Sequence, residues 1–112
     1  MGIFTALKDT AISTKVVAEA KEVNRYQQSI LSLLKELPED SSITTYQLQR
    51  LNNYISSMAH HLKKFEEILK QITPDNQVQT IVPCIDGHYT GAFGYLMAAQ
   101  MFLEMAQNLT KH

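Results

Sequence analysis

The chain has 112 residues, 45% of them hydrophobic, which suits one domain with one continuous core and argues against extended disorder. Ten basic and eleven acidic residues leave a formal net charge of −1, so the broad basic footprint of a nucleic-acid binder or of a protein drawn to anionic lipid is missing. A lone Cys84 cannot close an internal disulfide, and a reducing, cytoplasmic setting is the simpler expectation.

The first residues, MGIFTALKDT, lack the long apolar run and the small-residue cleavage site of a signal peptide. Gly2 is followed by Ala6 where an N-myristoylation pattern has Ser or Thr. Ile3, Phe4 and Leu7 make a short apolar arm that a peripheral membrane protein would insert, but only Lys8 stands near it to add attraction to lipid. A first long helix then reads through Val16, Ala20, Val23, Tyr26, Ile30, Leu33, Leu34 and Leu37, a broad apolar stripe of the kind that faces a helical core. Phe4, Leu7 and Ala11 lie on a different side, so either this helix bends near Thr10 or a short helix precedes it. Pro38 stops the helix, and Glu39 to Ser42 supply a polar turn.

The second helix starts on a capping box, Thr44 with Gln47, beside a hydrophobic staple of Ile43 and Leu48. Leu48, Leu51, Ile55, Met58, Leu62, Phe65, Leu69 and Ile72 then recur at steps of three and four, the heptad of a helix packed along its length. A rod of that length, about 40 Å at 1.5 Å per residue, matches the first and follows it after a short turn, which predicts an antiparallel hairpin. Thr73 and Pro74 suit the start of a further short helix, with Val78, Ile81, Val82 and Ile85 at helical spacing until Pro83 interrupts.

After Asp86 and Gly87 the last helix runs to about Thr110 and is apolar on two sides. Tyr89, Ala92, Leu96, Ala99, Leu103 and Ala106 form one stripe; Tyr95, Ala98, Phe102, Met105 and Leu109 form the other, and Glu104 is the one formal charge between Asp86 and Lys111. A helix without a polar face is buried among neighbours or shared with a second chain. Tyr89 to Leu103 falls short of the roughly 20 apolar residues that cross a bilayer. The fold expected for residues 1–112 is therefore a single all-α domain, an antiparallel helical bundle of three long helices plus a short fourth.

Residues that could carry chemistry are few. Ala59-His60-His61-Leu62-Lys63-Lys64 resembles the signature of histidine-phosphotransfer domains, in which an exposed histidine on one helix of a bundle takes a phosphoryl group from a response regulator. The resemblance implies a phosphoacceptor role for His60, on the outermost face when Leu62 is in the seam, with Lys63 offsetting the phosphoryl charge. It covers six residues; Lys64 stands in the place of the signature's glycine, and Phe65-Glu66-Glu67 replaces the small residues that follow. No metal or cofactor is expected. Neighbouring His60 and His61 point about 100° apart on a helix, and the Glu-x-x-His pairs of bundle di-iron sites are missing. Met97, Met101 and Met105 lack the cysteine or histidine that would accompany a copper or haem ligand, and read as adaptable packing side chains. Cys84 follows a proline in an apolar segment without electropositive surroundings, and Gly87, Gly91 and Gly94 form no phosphate loop.

The preferred expectation is a non-enzymatic protein-interaction module, a homodimer first of all, with Tyr95, Ala98, Met101, Phe102, Met105 and Leu109 on the partner-binding stripe. A monomer would need the N-terminal segment to fold back over that stripe. The rivals from other classes are the phosphotransfer carrier and the peripheral membrane protein.

Overall fold

A computed structural model describes residues 3–37, 43–73, 75, 80–84 and 88–110, with side chains from residue 11 onward. The class is all-α: helices α1 (Ile3–Glu36), α2 (Thr45–Leu69) and α3 (Ala92–Leu109), with strands β1 (Ile81–Pro83) and β2 (Tyr89–Gly91) forming one small hairpin between α2 and α3. The stop expected at Pro38, the turn from Glu39 to Ser42 and the Asp86–Gly87 pair lie outside the described residues, as does most of the short helix expected from Thr73 and Pro74 through Val78 to Ile85, of which Thr73, Asp75 and residues 80–84 alone are described.

α1 is one continuous helix of 34 residues. The change of phase near Thr10 therefore starts no separate helix, and the backbone of residues 3–10 prolongs α1 instead of folding back along the chain. Ile12, Val16, Ala20, Val23, Ile30 and Leu33 are buried along its length. Gln27, not Tyr26, completes that row: the amide is buried while the tyrosine is only half-buried.

In α2 the heptad holds from its second member on, with Leu51, Ile55, Met58, Leu62, Phe65 and Leu69 all buried, while Leu48 is only half-buried. The capping box is formed in both directions: the Gln47 amide donates to Thr44 Oγ1 at 3.1 Å, and the Thr44 amide donates to Gln47 Oε1 at 3.0 Å. Thr44→Ala should cost about 0.5–2 kcal/mol in urea unfolding, and first-turn amides should exchange faster with solvent. The helix ends at Leu69, three residues before the heptad does; Ile72 is still buried, in a turn where its amide donates to the Leu69 carbonyl. The last turn tightens, with the Gln71 amide donating to the Ile68 carbonyl, and Pro74 bars the helix from resuming beyond Thr73.

Among the described residues, α1 and α2 make the most extensive contact. Glu36, at the end of α1, meets Arg50 near the start of α2 at 4.0 Å, and Glu19 meets His61 at 2.7 Å, the pairing of two helices running in opposite directions. α3 packs mainly on α2 and more lightly on α1. Phe65 meets the Tyr95 ring edge-on, with centroids 6.0 Å apart, and Gln100 donates to Glu66 at 3.3 Å.

The helical spacing expected at Ile81 and Val82 is corrected here. Both lie in β1, which pairs antiparallel with β2 in the register Ile81–Gly91, Val82–Thr90 and Pro83–Tyr89. A β-branched pair directly before a proline suits a short extended strand better than a helix. Alternation places Val82 in the core and leaves Ile81 outside, and β1 packs on α1. The start of the last helix moves accordingly: Tyr89 belongs to β2 and is exposed, and α3 begins at Ala92, whose amide donates to the Thr80 carbonyl.

Candidate functional site

α3 turns about 100° per residue, so its inner and outer faces can be followed directly. Ala92, Tyr95, Leu96, Ala99 and Ala106 are buried, and Phe102 and Leu103 pack against the same core. On the opposite side Phe93, Met97, Met101, Met105 and Leu109 follow one another at steps of four, with exposures of 49%, 50%, 66%, 65% and 55%. A step of four advances about 40°, so this row winds obliquely across the outer face. Gly94 and Ala98 lie open beside it, and the polar residues interleaved on that face are Glu104 and Asn108. The outer face of α2 is of the usual kind, with Asn52, Asn53, Ser56, His60, Lys63, Lys64, Glu67 and Lys70 exposed.

The hairpin leading into α3 carries two further exposed apolar side chains. Cross-strand partners share a face of a ladder, so Ile81 and Tyr89 both lie on the side away from buried Val82, and both are exposed. Where α3, α1 and the hairpin meet, an open groove of about 310 Å³ is lined by Gln27, Cys84, Thr90, Gly94, Tyr95, Ala98 and Ala99. A Cβ added to Gly94 would meet nothing within 4 Å, so the chain's own packing does not require a glycine there. The missing side chain leaves room on the outside.

Of the six residues expected on the partner-binding stripe, Ala98, Met101, Met105 and Leu109 lie open on the surface, and Phe102 is half-buried against the core. Tyr95 is corrected: it is a core residue, 4% exposed, with its hydroxyl turned to Gln27 Oε1 at 3.4 Å. Phe93 and Met97 were missing from the expected set. The row of four-residue steps that contains them is visible in the sequence, but dividing the helix into two straight stripes cut across it.

Burial holds the Tyr95 phenol well above its ordinary value, with the neighbouring Cys84 adding to the effect. The folded chain therefore keeps this proton at pH values where the unfolded chain loses it. Stability from this source is complete below about pH 10 and declines as pH rises beyond it. In urea unfolding, Tyr95→Phe should cost about 1–3 kcal/mol near neutrality, because it leaves the buried Gln27 oxygen without its donor, and should flatten the alkaline decline.

The histidine pair divides as its helical positions require. His61 points inward to α1, where Nδ1 meets Glu19 Oε2 at 2.7 Å and the ring stacks on Tyr26 at 5.6 Å. Lys64 reaches the other oxygen of Glu19 at 3.7 Å. His60 stays exposed on the outer face with Lys63, touching His61 ring edge to ring face at 5.3 Å. Cys84 is a free, half-buried thiol whose amide donates to the His88 carbonyl. Among the described residues no three His, Cys, Asp or Glu side chains converge on a point that could hold a metal ion, and no helix is long and apolar enough to cross a membrane.

No protein-family model matches this chain, and no curated protein or solved structure is significantly similar to it.

Proposed function

We propose that this protein is a non-enzymatic protein-interaction module that docks a helix, its own in a second copy or that of another protein, on the outer face of α3. The observation that carries the reading is the row Phe93, Met97, Met101, Met105 and Leu109, exposed on the side of α3 turned away from the core. Large apolar side chains gain nothing by facing water, and an apolar face of this extent on a chain of ordinary composition marks a surface that another molecule covers. Methionine suits such a surface because its flexible thioether adapts to the shape it meets. The continuity of residues 3–10 with α1 supports the reading too, since the fold-back that would have covered this face within the chain does not form.

The reading sets the protein in the cytoplasm, in keeping with one unpaired cysteine. Light scattering of the unaltered chain over a concentration series tests it. A mass that rises toward twice 12.7 kDa supports self-association, and one that stays at 12.7 kDa into the high micromolar range removes it.

A further inference from the structure

Resting on that reading, we infer that the occupant of the α3 face is a second copy of this chain, held by a two-fold axis that sets the two α3 helices antiparallel, with Met101 of each protomer seated over Gly94 and Ala98 of its partner. The argument begins from self-complementarity. A two-fold interface presents the same patch twice, so the patch must carry both the protruding and the receiving side chains. The outer face of α3 carries both: Met97 and Met101 protrude, and one to two turns away Gly94 and Ala98 open onto the groove of about 310 Å³. A parallel pairing would set equal residue numbers side by side, glycine against glycine and Met101 against Met101, protrusion on protrusion. An antiparallel pairing centred between Met97 and Ala98 sets Met101 opposite Gly94 twice over.

Charge selects the same direction. Glu104 is the one charged residue of α3, and it lies on the outer face. Two parallel helices would bring the two carboxylates together, unpaired and newly shielded from water. In the antiparallel register Glu104 falls opposite the first turn of the partner's α3. That turn contains no acidic residue, and its cap, Gly91, makes no side-chain hydrogen bond to the helix amides. The Ala92 amide is taken by the Thr80 carbonyl, but the amides that follow it in the first turn and the positive end of the helix dipole favour a carboxylate there.

The area is sufficient as well. The five exposed side chains of α3 amount to on the order of 500 Å² per protomer, so that two copies together reach the roughly 1,000 Å² at which a specific interface begins.

Two variants, read as dimer dissociation constants by sedimentation equilibrium, separate this geometry from the broader reading. Glu104 is exposed in the single chain, so Glu104→Gln leaves the fold alone. It should weaken the antiparallel dimer by about three- to thirty-fold, two helix-end contacts being lost per dimer. Unchanged or tighter association would overturn the geometry. Gly94→Leu fills space that nothing in its own chain occupies, and should weaken association by at least about tenfold while circular dichroism stays helical. If the chain dimerises and Gly94→Leu dimerises equally well or better, the second copy does not sit on this groove and the inference fails, while self-association stands. An unaltered chain that remains monomeric at high micromolar concentration removes both.

Discussion

Met101→Glu is expected to yield a folded monomer. The side chain is 66% exposed and belongs to no part of the buried core, so in the isolated chain a carboxylate there keeps its water and costs almost nothing. Between two protomers the same carboxylate loses that water among the methionines of both copies, about a turn inside the helix end that Glu104 faces, and α3 carries no cation to replace it. The dissociation constant should rise by at least about two orders of magnitude, from a desolvation cost of roughly 3 kcal/mol or more spread over two copies. Circular dichroism and light scattering on one sample distinguish the outcomes. Retained helicity with the mass of a single chain is the expected result; an unfolded chain would place Met101 in the core, and an unaltered dimer would place the interface elsewhere. Phe102→Glu cannot serve the same purpose, because Phe102 packs partly against the core and its replacement would disturb fold and surface together. Met58→Glu is the useful contrast: Met58 is fully buried in α2, and a charge there should unfold the domain.

Phe65→Ala should cost about 3–5 kcal/mol of folding free energy, a large share of the roughly 5–15 kcal/mol a domain of this kind possesses. Phe65 is fully buried at the point where α2 receives α3, edge-on against Tyr95. Truncation removes the ring's burial and leaves a cavity that the Tyr95 ring cannot fill without giving up its approach to Gln27. Urea unfolding monitored by circular dichroism measures the loss. A change below about 1 kcal/mol would mean that the α2–α3 contact is not held as described, and that the exposed row on α3 has no fixed orientation.

Much of this architecture is legible in the amino-acid order. The heptad from Leu51 to Leu69 and the Thr44–Gln47 capping box are local patterns whose physics is complete within one or two helical turns, and both stand in the fold as read. The inner stripe of the last helix, Ala92, Leu96, Ala99 and Ala106, was equally readable. The sequence also reveals that this helix carries only one charge, and therefore that it cannot be an ordinary surface helix.

What the tertiary structure decided are the choices that depend on a neighbour. A step of one residue moves a side chain about 100° around a helix, so whether Tyr26 or Gln27 enters the core turns on what stands across from them. Tyr95 stands there, and its hydroxyl makes the buried amide acceptable. Tyr95 in turn is drawn from the outer stripe into the core by the space beside Phe65. Ile81 and Val82 carry a spacing that fits helix or strand equally well, and β2 chooses the strand by supplying the other half of the ladder. The order of the residues determined that α3 has apolar side chains to spare; the packing of α1, α2 and the hairpin determined which of them remain in water, because burial belongs to a pair of surfaces and a sequence displays only one surface at a time.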